Sequence, residues 1–168
     1  MPDNLSRLSP LIVVLWILSA CASTSPMSAL PVASTNATSP DDPVFLRLYR
    51  KEFEPLTCPY DTHQISCGAY LLNTFSSLMK QHTEIEELSI SNFSFTCERV
   101  GSVVSRQSCT ASYRLDFRSN GETLLMNITA QKEKAPLPGL GDKSKPIFKF
   151  LRAILDQSVA EFETGIAG

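Results

Sequence analysis

The sequence predicts one α+β domain over residues 41–168: a helical hairpin and a C-terminal helix laid on a three-stranded antiparallel meander, in the order α-α-β-β-β-α. Three observations carry the prediction. Apolar residues recur at helical spacing up to Met79 and again after Pro146. Between those stretches the apolar period changes to two. Within the period-two region stands Asn120-Gly121, the dipeptide of a tight hairpin turn.

The first helix is expected at Asp41-Asp42-Pro43, where acidic caps precede a proline suited to the first helical turn. Phe45, Leu48, Tyr49 and Phe53 follow at helical spacing, with Arg47, Arg50 and Lys51 on the other side, and Pro55 ends the run. The segment from Cys58 to Cys67, with Pro59, Asp61 and His63 inside it, reads as a turn-rich loop. A second helix then carries Leu71, Leu72, Phe75, Leu78 and Met79. A Cys58–Cys67 disulfide would pin the connection between the two helices.

The strands can be put in register. Cys109, Ala111, Tyr113, Leu115 and Phe117 alternate with polar residues, and after the turn Leu124, Met126, Ile128 and Ala130 share one face, with Asn127, Thr129 and Gln131 on the other. If Asn120-Gly121 is a two-residue turn, Ser119 faces Glu122. Phe117 then meets Leu124, Leu115 meets Met126, Tyr113 meets Ile128 and Ala111 meets Ala130. Each pair is apolar, and a slip of one residue would destroy that. Placing Cys97 opposite Cys109 brings Phe95 to Ala111 and Phe93 to Tyr113 on the same face, close enough for a second disulfide, Cys97–Cys109. Residues 132–145 are broken by Pro and Gly and read as a loop. Pro146 opens the last helix, whose apolar side is Ile147, Leu151, Ile154, Leu155, Val159 and Phe162.

Ahead of the domain, residues 11–21 form an apolar run that ends in Leu18-Ser19-Ala20-Cys21. This resembles a bacterial lipobox, in which a Leu, two small residues and a Cys mark the cut made by the signal peptidase. The resemblance implies that residues 1–20 are a lipoprotein signal peptide. It also implies that Cys21 becomes the first mature residue and carries lipid, palmitate among its acyl chains. The apolar core is too short to span a bilayer, which takes about 20 residues. Residues 22–40 hold almost nothing large and apolar, so residues 21–40 are expected to be the lipidated Cys and a disordered tether. Such a coil spans roughly 25 Å on average and about 65 Å at most. In lipoproteins of enteric type a residue other than Asp after the lipidated Cys implies outer-membrane sorting, and Ala22 fits. With Cys21 acylated, Cys58, Cys67, Cys97 and Cys109 form an even set suited to an oxidising periplasm. The competing reading is an ordinary secretory signal cut after Ala22, with Asn36, Asn92 and Asn127 as glycan acceptors.

Composition excludes more than it assigns. Fifteen Lys and Arg stand against 17 Asp and Glu, interleaved along the chain, so no basic stripe is expected for nucleic acid and no lipid affinity beyond the anchor. His63 between two cysteines matches no common zinc spacing, and no metal or other cofactor is expected. His82 reads as a solvated helix end, and Glu84, Glu86 and Glu87 as a solvated charge run rather than an acid–base pair. There is no Gly-x-Ser-x-Gly elbow, and Gly139-Leu140-Gly141 lacks the context of a dinucleotide loop. No catalytic residue is assigned.

One surface does stand out. Thr110, Ser112, Arg114, Asp116, Asn127, Thr129 and Gln131 make the outward face of the sheet uniformly polar, either simply solvated or a recognition surface. The α-α-β-β-β order is similar in topology to small lipoprotein accessory subunits of outer-membrane assembly machinery, and to cystatin-like and nuclear-transport-factor-like cones. The expectation is a non-catalytic, lipid-anchored periplasmic module that binds another envelope protein. The alternative is a small secreted hydrolase or inhibitor.

Overall fold

The computed structural model describes residues 28–32, 43–101, 106–134 and 144–167. Their elements run β1 (Ser28–Ala29), α1 (Pro43–Leu46), α2 (Arg50–Phe53), β2 (Thr57–Tyr60), β3 (His63–Ser66), α3 (Gly68–Gln81), β4 (Ile85–Val100), β5 (Arg106–Ser119), β6 (Glu122–Lys134) and α4 (Ser144–Ala167). The class is α+β: β4, β5 and β6 form an antiparallel meander, and α3 and α4 cover one of its faces.

The β5–β6 register is the one the hydrophobic pattern requires, with Phe117 opposite Leu124, Leu115 opposite Met126, Tyr113 opposite Ile128 and Ala111 opposite Ala130. Asn120 and Gly121 both have positive φ, 52° and 79°, the conformation a primed two-residue turn demands. Between β4 and β5, Cys97 faces Cys109 and Phe95 faces Ala111. Two bulges in β4 were not foreseen. The inward residues change parity along the strand: Ile85, then Leu88 and Ile90, then Phe93, Phe95 and Cys97. A regular strand would turn one set outward, because side chains alternate faces. Register shifts between Ile85 and Glu87 and between Ser91 and Ser94 absorb each change. Asn92, at φ 53°, sits in the second shift, and Phe93 beside it stacks on Tyr113 with centroids 6.1 Å apart.

The core converges on Phe75 of α3. Its ring meets Phe53 at 6.0 Å, Tyr113 at 6.3 Å and Phe162 at 5.9 Å, so one side chain joins α2, the sheet and α4. From α4, Leu151, Ile154, Leu155 and Phe162 are fully buried, on the side the sequence spacing marks.

The N-terminal half of the domain differs from expectation in three places. The helix expected between Pro43 and Pro55 is two short helices separated at Leu48, which forms a parallel bridge with Leu88. Tyr49 N–H donates to Leu88 O (3.2 Å) and Leu88 N–H to Arg47 O (3.0 Å), while Glu52 Oε2 accepts from Ile90 N–H (3.0 Å). β4 is an edge strand with backbone groups to satisfy, and this outweighs helix continuation. The expected loop between Cys58 and Cys67 is a hairpin, β2 with β3, turning at Asp61 (φ 55°). Finally, the expected tether is not free throughout. Ser28 and Ala29 pair in parallel with Ile65 and Ser66, Leu30 N–H donates to Ser66 O (2.9 Å), and Leu30 is 2% exposed. Leu30 is the apolar side chain that the composition of residues 22–40 hides, and the free edge of β3 receives it.

Candidate functional site

Cys21, the expected site of acylation, lies outside the described residues. The other four cysteines form Cys58–Cys67, with Cα atoms 6.0 Å apart, and Cys97–Cys109, with Cα atoms 4.1 Å apart. Among the described residues no group of three or more His, Cys, Asp or Glu is placed to hold a metal. His63 is exposed at the start of β3. His82 caps α3, with Nδ1 2.8 Å from Glu84 Oε1 and Nε2 3.7 Å from Glu163. The Glu84 carboxyl is held below its ordinary range, first by its own backbone N–H and then by His82.

The three glutamates do different things. Glu86 Oε2 accepts from Arg118 Nε (2.5 Å), its Oε1 from the Gly121 N–H (3.2 Å), and its backbone carbonyl from Arg47 Nε (3.0 Å). Glu87 accepts from Arg118 (3.4 Å) and from the Tyr49 hydroxyl (3.4 Å). They form a latch that ties the start of β4 to the β5–β6 turn. The local sequence shows the acids but not Arg118, which is 32 residues from Glu86.

The face of the meander turned away from α3 and α4 is polar except for Leu125, which lies opposite Asp116 and is 60% exposed. Arg114 Nε pairs with Asp116 Oδ1 at 2.9 Å, and Ser91 donates to the same carboxylate (3.4 Å). Asn127, Thr129 and Gln131 are exposed beside them. Three long strands, the bridge at Cys97–Cys109 and the latch at the turn give this face a rigid frame.

On the helical side, a groove of about 340 Å³ runs between α3 and α4. Tyr70 donates from its hydroxyl to Asp156 Oδ1 (2.6 Å), and the Arg152 guanidinium lies 5.5 Å from the centre of the Tyr70 ring. Burial, followed by the hydrogen bond to Asp156, pushes the Tyr70 phenol well above its ordinary range. Arg152 also donates to the Pro31 carbonyl, so it fastens the β1 segment to α4. Beyond it a second depression is lined by Pro31, Lys145, Phe148, Lys149 and Ala153. Lys134 donates to Pro146 O (2.9 Å) and its ammonium lies 5.6 Å from the centre of the Phe150 ring. Four basic side chains therefore gather at the N-terminal half of α4. Charge interleaving along the chain obscures this, although Lys145, Lys149 and Arg152 stand at helical spacing.

No family model, curated protein or solved structure matches this chain in comparison with known proteins.

Proposed function

We propose that this chain is a lipid-anchored, non-catalytic binding or accessory module of the bacterial cell envelope, held in the outer membrane and facing the periplasm. The observation that carries the reading is the apolar run ending in Leu18-Ser19-Ala20-Cys21, seven positions ahead of Ser28, which pairs in β1. Each buried CH₂ of an acyl chain contributes about 0.8 kcal/mol, so two or three chains on Cys21 hold the domain at the membrane. Two disulfides support an exported chain, because such bridges persist in oxidising compartments. Among the described residues no helix is long and apolar enough to cross a membrane. In this reading attachment rests on the lipid at Cys21. The open polar face around Arg114, Asp116 and Asn127 is the surface offered to a protein partner.

Palmitate labelling and affinity capture test the proposal. Labelled palmitate should enter the wild-type chain and not Cys21→Ser, and the wild type should fractionate with outer membranes. A stoichiometric envelope protein should co-purify, and Arg114→Ala with Asn127→Ala should weaken its capture. Wild-type protein that runs soluble and unacylated sinks the anchor. Loss of biological function in His63→Ala or His82→Ala, with circular dichroism unchanged, would favour catalysis instead.

A further inference from the structure

We propose that the N-terminal half of α4 is the membrane-facing surface of the domain, where Lys145, Lys149, Arg152 and Lys134 engage anionic lipid headgroups of the leaflet holding Cys21. The inference rests on the lipid-anchor reading and adds an orientation to it.

The leash is short. Because β1 is paired with β3 and Arg152 holds the Pro31 carbonyl, the tether no longer runs to residue 40. Residues 22–27 alone separate Cys21 from Ser28, a reach of about 25 Å at full extension. The domain is thus kept close to the bilayer, and its attached edge is the one beside Pro31. The helix at that edge is α4, through Arg152.

Charge points the same way. Residues 132–152 hold six bases and two acids, in a chain whose net charge is −2. Lys145 and Lys149 are exposed, and Arg152 follows on the same helical face. The Lys134 ammonium is pulled below its ordinary range by burial and then by the charge of Lys149, as expected where cations crowd. Asp156 also lines this depression, accepting from the Tyr70 hydroxyl, so one acid stands there against Lys145, Lys149 and Arg152. Farther along α4 come Glu161 and Glu163, so the helix is basic at its start and acidic toward its end. That order opposes the helix dipole, which favours acids first and bases last. Helix stability therefore does not account for it, whereas a negatively charged plane at the basic end does.

Each basic side chain near an anionic surface strengthens association by about five-fold, too little for capture from solution. On a short leash the local concentration is high enough for a few such contacts to fix orientation. The test uses the mature acylated protein in vesicles, with an environment-sensitive dye at Ala153→Cys or at Asn127→Cys and a headgroup-linked quencher. In vesicles one-third phosphatidylglycerol, the dye at position 153 should be quenched several-fold more than the dye at 127. The contrast should vanish in phosphatidylcholine vesicles, in high salt, and in Lys145→Gln/Lys149→Gln. Acylated protein that floats with vesicles yet quenches equally at both positions, or keeps its contrast in the charge variant, overturns the proposed surface alone. Protein that carries no acyl chain overturns the surface and the anchor together.

Discussion

The β5–β6 hairpin and the small β1–β3–β2 sheet are both laced by backbone hydrogen bonds, but different things specify them. In the hairpin every determinant is local: an Asn-Gly turn, alternation broken only at Leu125, and apolar partners that fall into place once the turn is set. In the small sheet the determinants come from elsewhere. β1 joins β3 across more than thirty residues of chain, and Arg152 of α4 secures it from the far end of the sequence. Strands specified by their own pattern form a frame, and segments specified by tertiary contact fasten onto it. In the proposed arrangement these fastened segments decide how the domain meets the membrane.

The largest effect should come from breaking the frame at its phase correction. Deleting Asn92 removes the residue that lets Leu88 and Ile90 share a face with Phe95. Either Ile85, Leu88 and Ile90 or Phe93, Phe95 and Cys97 must then face water. At about 1.5–3 kcal/mol per large apolar side chain, the loss approaches the whole stability of a typical domain. The deletion variant should therefore lack a cooperative urea transition, whereas Asn92→Gly should keep one. A folded deletion variant would mean that β4 slips freely, and the hairpin would be no better specified than the small sheet.

Two glycine substitutions, one in the hairpin turn and one at the α2–α3 contact that follows the small sheet, sharpen the contrast. A Cβ at Gly68 would lie 1.8 Å from the Phe53 carbonyl oxygen, so the backbone of α2 or α3 must move. Gly121 has open space around it, but its φ of 79° is one L side chains rarely adopt. Gly68→Ala should cost about 3 kcal/mol or more through overpacking against backbone, and Gly121→Ala about 1 kcal/mol through strain. Chemical denaturation measures both. The reverse order would place the tighter constraint in the turn.

This asymmetry also governs what was legible in the sequence. The class, the meander and its register were readable, because alternation and turn chemistry act over a few residues. The break at Leu48 was not, because its cause is the unsatisfied edge of β4 some forty residues away. The docking of Leu30 was not legible for the same reason: one apolar residue in a polar stretch carries no period. On the candidate surfaces, the polar sheet face followed directly from alternation. The basic cluster did not, since Lys134 joins it only once the chain folds back onto α4.

The two disulfides test how independent the regions are. Sequence separations of 9 and 12 give nearly equal loop-closure terms, about 3 kcal/mol each. Cys97→Ala/Cys109→Ala should lose about that and the burial of Cys109, while the rest of the ladder holds its register. Cys58→Ala/Cys67→Ala removes two fully buried side chains and loosens β3, on which β1 depends. Hydrogen exchange should show the Leu30 amide losing protection in the second variant and keeping it in the first. Equal loss in both would make the two sheets one cooperative unit.

The smallest effect concerns the joint between frame and helix. Tyr113 donates to Ser158 Oγ (2.8 Å), and Ser158 donates to the Leu155 carbonyl (2.7 Å), all of it buried. In Tyr113→Phe the serine keeps its own acceptor, so the loss near neutral pH should be about 1 kcal/mol. The alkaline limb is more informative. Burial raises the Tyr113 phenol well above its ordinary 10.0, against a smaller opposing effect of Ser158. The folded state therefore favours the neutral phenol. Its contribution is complete below pH 10 and is lost as pH rises further, since the unfolded chain ionises first. Tyr60 and Tyr70 are raised as well, so the wild type shares this alkaline loss among three phenols. Removing one share makes the variant fall less steeply, and the gap between the two stability curves should narrow above pH 10. Curves that stay parallel through that range would show that Tyr113 is open to water, and that the frame and α4 are joined by apolar packing, around Phe75 and between Phe117 and Phe162, without this hydrogen bond.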